Sequence, residues 1–361
     1  MTGQHHDLRK ALSVTSLRVG LIGAGGISRV HADGWRALGA AVTVYSHEGA
    51  DALAAEYGFA VASSLDGLLA AADIVDIVTP TTSHSPLALA AIRAGKHVVC
   101  EKPLAGTVDD AREVIDAARE AGVRLFPAHV VRYFPDYAAL RDQVEAGRIG
   151  EPAVLRFVRG GEAPRTDTWF HDVGRGGGIV RDQMIHDLDQ ALWMAGDVVR
   201  VYATQSASAG DADAPDAVVA HVVLTHANGA LSHVQGTWGA RGLPFRTSAD
   251  IAGSAGILSL DSAPTASRVE IPSAHAGDGY LPPPTLTESP YTAQLRDYVA
   301  AIADERDARV TPVDGLRAVV VAEAAMQSLH TGRPVDIDLS ASDLSSASET
   351  SSAAVPAGVG A

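Results

Sequence analysis

From Leu17 to about Pro135, short apolar runs alternate with stretches whose apolar residues recur every three or four positions. Leu17–Ile22, Ala41–Tyr45, Asp73–Val78, His97–Cys100 and Arg124–Ala128 read as strands. Ser28–Leu38, Ala50–Tyr57, Ser85–Ala94 and Val108–Ala121 read as helices, with Gly58, Gly95 and Gly122 placed to close three of them. Strands alternating with helices of this length predict a doubly wound parallel sheet of the Rossmann type over residues 17–135.

After about Asp136 the pattern changes. One helix, Tyr137–Ala146, precedes a series of strand-like runs: Ala153–Val158, Val198–Thr204, Ala217–Thr225, Ala230–Thr237, Arg246–Ala252 and Ile257–Leu260. Short turns such as Ala227-Asn228-Gly229 join several of them and predict an antiparallel sheet. Helices are expected at Arg181–Ala195, Tyr291–Ala303 and Val313–Leu329. Residues 136–339 therefore read as a second, α+β domain built on a large, mostly antiparallel open sheet. Residues 1–16 lack a sustained period, and residues 340–361 are mostly small and polar, so both are expected to be disordered tails. The loop around Ser206–Pro215 is expected to be flexible.

Composition narrows the partners. With 28 Lys+Arg against 43 Asp+Glu the net charge is −15, and there is no basic stripe, which argues against nucleic acid and anionic membrane. No apolar run is long enough for a membrane span, and Met1–Ser16 lacks the core of a signal peptide, so a cytoplasmic protein is expected. The single cysteine, Cys100, lies in a strand and reads as a packing thiol.

Two stretches carry chemistry. Gly23-Ala24-Gly25-Gly26-Ile27-Ser28 lies between the first strand and the first helix. It is a variant dinucleotide fingerprint: Gly23 for the turn, Gly25 for close approach of a pyrophosphate, and the helix N-terminus for the anion. The second strand ends in Ser46-His47 with no carboxylate before Glu48, which leans the cofactor reading from NAD towards NADP. Further on, Glu101-Lys102-Pro103 follows a strand directly and so falls at the carboxyl edge of the sheet, where ligands bind. Pro103 restricts Lys102 to extended geometry and permits a cis bond. In the second half, a glycine run (176–178) precedes a helix on which Asp182, His186 and Asp189 share one face. A histidine among carboxylates suits proton relay. A metal would need further convergent ligands, and none is assigned. Arg156, Arg159, Arg165 and His171 flank this region as candidate substrate contacts.

Taken in order, these motifs resemble the Gfo/Idh/MocA oxidoreductase family. The resemblance adds Thr79-Pro80 with His84, Gly95-Lys96-His97-Val98, Arg132-Tyr133-Phe134-Pro135 and Gly147-Arg148-Ile149-Gly150 to the segments above. It implies Lys102, Asp182 and His186 as the catalytic set. It implies Thr79, Pro80, Thr82, His84, Glu101, Lys102 and Trp169 as cofactor-lining residues beside Gly23, Ala24, Gly25, Gly26, Ile27, Ser46 and His47. It further implies hydride transfer between NAD or NADP and a secondary alcohol or ketone of a sugar, inositol or related polyol. A homo-oligomer, dimer or tetramer, assembled through the open face of the second sheet is also implied. Thr82 and His129 stand where the family often has asparagine, and Arg181 where it usually has an apolar residue. Two other outcomes exist within the resemblance: redox-assisted cleavage of a glycoside, and a nucleotide-sensing regulator without catalysis.

Overall fold

The computed structural model describes residues 17–165, 168–175, 177–208, 217–262 and 288–339. The two expected tails, residues 209–215 of the expected loop, and Gly176 of the glycine run lie outside the described residues.

The first sheet contains β1 (Arg18–Ile22), β2 (Ala41–Tyr45), β3 (Ala60–Val61), β4 (Ile74–Ile77), β5 (His97–Glu101) and β6 (Leu125–Ala128). Their order is β3-β2-β1-β4-β5-β6 and every pair is parallel. Helices α1 (Gly26–Ala37), α2 (Ala50–Tyr57), α3 (Leu65–Ala71), α4 (His84–Arg93) and α5 (Val108–Ala121) make the crossovers. Strand order reverses between β1 and β4, so a crevice opens at their carboxyl ends. Elements β3 and α3 were not expected. The first is two exposed residues long, and the second is too short to show a period; α3 begins where the Ser64 hydroxyl caps the Gly67 N–H at 3.1 Å.

Alternation along the strands divides the apolar material between two faces. Val19, Leu21, Ile74, Val78 and Val99 pack with Trp35 of α1 and Leu53 of α2. Ile22, Val75, Ile77, Val98 and Cys100 pack on the other side with Leu68, Ala88 and Val114. Cys100 is fully buried, with its thiol pKa pushed up by burial and by the nearby charges of Glu101 and Asp76.

In the second half come α6 (Pro135–Glu145), β7 (Pro152–Glu162), α7 (Ile185–Ala195), β8 (Val198–Ser208), β9 (Ala217–His226), β10 (Leu231–Gly239), β11 (Arg246–Gly253) and β12 (Ile257–Asp261). They are followed by α8 (Pro290–Ala303), α9 (Pro312–Thr331) and β13 (Val335–Asp336). The sheet runs β12-β11-β7-β10-β9-β8-β13; β7 and β10 are parallel and every other pair is antiparallel. Leu155, Phe157, Val222 and Val234 face inward towards α7 and α9, whereas Arg156, Val158, Tyr202 and Leu231 are exposed on the opposite face. Arg156 therefore points away from the helix bearing His186, which removes it from the candidate substrate contacts.

The chain then returns to the first sheet. Helix α8 lies against α1, with Leu295 filling the space beside Gly34, and Tyr298 stacks on Phe126 at 4.6 Å. Helix α9 contacts α5, α7 and β8, so it joins the two sheets. A Thr311/Asp314 capping box with Pro312 in its first turn starts α9, and Gly332 in the left-handed region ends it. Among the described residues, no helix is long and apolar enough to cross a membrane.

Candidate active site

The turn after β1 is shaped by two different glycine requirements. Gly23 has φ +116° and its N–H donates to the Tyr45 carbonyl at 2.9 Å; a Cβ there would meet the Val78 carbonyl oxygen at 2.6 Å. Gly25 has an ordinary φ of −80°, and a Cβ at Gly25 or Gly26 would project into open space. Gly25 at the N-cap supplies no side-chain hydrogen bond to α1, which leaves the N–H groups of the first turn without that cap. The Ser28 Oγ, on the buried face of α1, and the Thr81 Oγ1, after β4, are buried without a hydrogen-bond partner among the described residues. Open space at Gly25 and Gly26 in front of an uncapped helix N-terminus fits a dinucleotide pyrophosphate. Ala24 and Ile27 flank the turn, both half-buried.

The other predicted lining residues take distinct places. Ser46 is half-buried and His47 exposed at the end of β2, with the His47 ring edge-on to Tyr45. Thr79 and Pro80 close β4, where the Thr79 Oγ1 accepts the Ser83 hydroxyl at 2.8 Å; Thr82 is exposed. His84 is buried, its ring nitrogens 2.7 Å from the Pro103 carbonyl and 2.8 Å from the Thr79 carbonyl. It therefore brackets the ends of β4 and β5 and does not present a free ring nitrogen. Trp169 is half-buried and stacks on Phe170 at 4.3 Å. Gly177 fits beneath them because any Cβ would strike the carbonyl oxygens of Trp169 and Phe170.

Lys102 leaves β5 through a cis bond to Pro103. Its Nζ donates to the Asp182 carboxylate at 2.9 Å and to the Asp182 backbone carbonyl at 2.6 Å. Two acceptors on one residue, one of them ionic, hold the ammonium at a defined point. Asp182 lies in a π-helical segment, Val180–Met184, immediately before α7. Such segments are uncommon and cluster at functional sites. The expected helix over Arg181–Ala195 is thus π in its first part, and Asp189 does not join the group. The buried Arg132 guanidinium claims Asp189 through contacts of 2.9 and 2.7 Å.

His186 follows on the first turn of α7 and is half-buried, with its Nδ1 buried and unpartnered. Burial, followed by the positive charges of Lys102 and Arg159 and by His129, holds the imidazole pKa well below 6.5. It is therefore a neutral ring at neutral pH. Arg159 is itself locked by Asp187 in a bidentate pair at 2.8 and 2.8 Å, so its guanidinium is not a free hand for a substrate carboxylate. The ring of His171 is 2.7 Å from the Pro164 carbonyl and edge-on to Trp238.

Several contributors were absent from the sequence reading. His31, on the buried face of α1, lies between Asp76 of β4 (2.8 Å) and Glu101 of β5 (3.1 Å), and Trp35 donates to the same Asp76 oxygen at 2.6 Å. Burial depresses the His31 pKa, but the two carboxylates outweigh it and raise the pKa to about 10. The same contact, with the charge of Lys102, overrides burial at Glu101 and keeps its carboxyl below the usual range. One signal was available: Asp76 interrupts an apolar central strand, and a buried carboxylate demands a partner. Asp187 had no comparable mark, because its partner lies 28 residues away on β7. Among the described residues, no group of three or more His, Cys, Asp or Glu side chains converges to hold a metal ion.

Comparison with known proteins agrees with this geometry. Residues 17–129 match a family model described as an oxidoreductase family with an NAD-binding Rossmann fold, and residues 137–259 match the Gfo/Idh/MocA C-terminal domain. The chain is 32% identical over 346 residues to an inositol 2-dehydrogenase of Rhizobium meliloti, covering 89% of this chain and 99% of that one. It is 30% identical over 332 residues to a 1,5-anhydro-D-fructose reductase of Ensifer adhaerens, covering 89% and 98%. The crystal structure of GenD2 from gentamicin A biosynthesis, in complex with NAD, superimposes with a TM-score of 0.77 at 26% identity, covering 89% and 96%. The parallel sheet and its helices are thus an NAD-binding Rossmann unit.

Proposed function

This chain belongs to the Gfo/Idh/MocA oxidoreductase family, and on that footing we propose that Lys102, Asp182 and His186 form the proton-handling site of a sugar or polyol dehydrogenase. It is an oxidoreductase acting on CH–OH groups of sugars, inositols or related polyols. The observation that carries the residue assignment is the meeting of Lys102 with Asp182 beside His186, on elements from the two halves of the chain.

Gly23, Ala24, Gly25, Gly26 and Ile27 would hold the dinucleotide, with Thr79, Pro80 and Thr82 along the β4 end. When bound, the nicotinamide supplies the hydride chemistry. The protein manages the proton. His186, neutral because burial and three basic neighbours keep it so, accepts the hydroxyl proton as the alcohol is oxidised and returns it in reduction. The Lys102 ammonium polarises the same oxygen, and Asp182 fixes the ammonium in place through two acceptors. Arg159 and Arg132 are both occupied by aspartates, which favours a neutral polyhydroxy substrate over an acid.

We propose that NADP is accepted alongside NAD, because β2 is followed by Ser46 and His47 without a carboxylate to repel a 2′-phosphate. The outer face of the second sheet, where Val158, Tyr202 and Leu231 are exposed, supports self-association, to be tested by light scattering. Glycoside cleavage and nucleotide sensing are not favoured, since the relatives are named as dehydrogenases and reductases.

The test is reduced-nicotinamide absorbance at about 340 nm with a panel of inositols, sugars and anhydrosugars, using NAD and NADP separately. Turnover with one class of polyol is expected. Tight cofactor binding with no turnover across the panel overturns the reading.

A further inference from the structure

Helix α1 does two things. Its N-terminus forms the cofactor cradle, and its buried face carries Ser28, His31 and Trp35 over β4 and β5. There the His31 ring meets Asp76 Oδ2 at 2.8 Å through Nδ1 and Glu101 Oε1 at 3.1 Å through Nε2. Ionised carboxylates only accept hydrogen bonds, so satisfying both contacts takes a ring with two N–H groups. A neutral imidazole would set a lone pair against a buried carboxylate. Glu101 passes the contact on: its second oxygen accepts the Lys102 backbone N–H at 3.0 Å. Both oxygens of Glu101 are therefore engaged, one by α1 and one by the residue whose side chain reaches Asp182.

We propose that His31, held as an imidazolium between Asp76 and Glu101, is a positioning residue that ties the cofactor-cradle helix to the Lys102 turn and so sets where the Lys102 ammonium sits. The inference rests on the reading of Lys102 given above. It gives a buried His–Asp–Glu group a role beyond stability, since a buried ion pair is weak evidence for stability alone. The groups facing His31 are Asp76 from β4, Glu101 from β5, Trp35 from its own helix and the Tyr291 ring of α8 at 6.2 Å. Lys102 lies beyond Glu101, and Cys100 lies behind both carboxylates, its thiol pushed up by burial.

The first readout needs no substrate. In protein labelled with ¹⁵N-histidine, the His31 signal is assigned by its loss in His31→Gln. Both ring nitrogens should be protonated at about pH 8.5, where an ordinary histidine with a pKa of about 6.5 is neutral. A ring carrying one proton there overturns the proposal. The second readout is kinetic. His31→Gln should lower kcat about tenfold or more while the Kd for NADH, by fluorescence titration, changes by less than about threefold. A wild-type kcat in that variant overturns the positioning role.

The third readout covers a His31→Gln variant that does not fold. Asp76→Asn keeps an acceptor oxygen but removes a charge, so His31 should lose its second proton at lower pH. The alkaline fall in kcat should move down with it, and a fall that stays put is incompatible with the proposal. Lys102→Met, run in the same assay, separates the two ideas. Turnover lost there but intact in His31→Gln overturns positioning alone. Turnover that survives Lys102→Met overturns the reading of Lys102 and the positioning role with it.

Discussion

The Lys102 ammonium and the Asp182 carboxylate meet at 2.9 Å although they lie 80 residues apart, and Lys102 also reaches the backbone carbonyl of the same aspartate at 2.6 Å. One residue directly follows a strand of the parallel sheet; the other sits in the π segment that leads into α7. The contact therefore joins the NAD-binding unit to the second half of the chain at the carboxyl edge, where ligands of such sheets bind.

Replacing Lys102 by methionine removes the charge while keeping much of the side-chain volume. Turnover should fall by about 10²–10⁴-fold, the usual contribution of a positioned proton-handling group. Cofactor binding by fluorescence titration should persist. Near-normal turnover would refute the assignment.

The glycines of the cradle should separate stability from binding. Gly25→Ala introduces a Cβ into open space at an ordinary φ, so thermal stability should stay within about 0.5 kcal/mol. NAD affinity should drop at least about tenfold, because the methyl occupies the approach of the pyrophosphate. Gly23→Ala meets a carbonyl at φ +116° and should cost about 1–3 kcal/mol even without cofactor. Calorimetry and titration on both variants check the contrast.

Acidification should leave the base form of His186 intact. Its pKa lies well below 6.5 because of burial and then the neighbouring charges of Lys102 and Arg159, so the neutral ring persists as pH falls through that value. The kcat/KM profile for alcohol oxidation should show no His186 limb near pH 6.5. An acidic limb centred there that vanishes in His186→Asn would contradict the placement of that ring.

Stability should respond to His31 on the alkaline side. Its folded pKa is raised to about 10 from an unfolded value of 6.5. The contribution is therefore fully present below about pH 6.5, declines above it, and is lost as pH rises through about 10. Urea midpoints across this window should fall for the wild type, by on the order of a few kcal/mol in stability. His31→Gln should show a flatter dependence.

Removing Asp189 should destabilise the fold, because Asp189 holds a buried arginine and not Lys102. Arg132 is 3% exposed and its guanidinium is held by Asp189, with Asp314 at 3.1 Å as its other carboxylate. Asp189→Ala removes the bidentate partner of a buried guanidinium and leaves it Asp314 alone, which should cost about 1–3 kcal/mol. Chemical denaturation with unchanged cofactor affinity in the surviving folded fraction would confirm that Asp189 is structural.

Period and punctuation in the sequence already determined most of the architecture. The helices at Ala50–Tyr57 and Val108–Ala121 and the strand at Ala41–Tyr45 coincide with their expected bounds, because each combines a clear apolar pattern with a cap or turn at its ends. The positions of the Gly23–Ser28 turn after β1 and of the Glu101-Lys102-Pro103 turn at the end of β5 were legible too, since each is written in consecutive residues beside a strand. What lay outside local pattern was pairing. The parallel register of β7 on β10, the return of α8 onto α1, and the division of labour between Asp182 and Asp189 depend on contacts separated by dozens of residues. His31 is the plainest case. Its position on α1 reads as one more buried helical residue, and only the packing of that helix across β4 and β5 sets it between two carboxylates, whose charge and hydrogen bonds outweigh desolvation and favour the imidazolium. Local sequence determines elements because backbone geometry is short-ranged; tertiary structure decides which charges become neighbours, and with that their protonation.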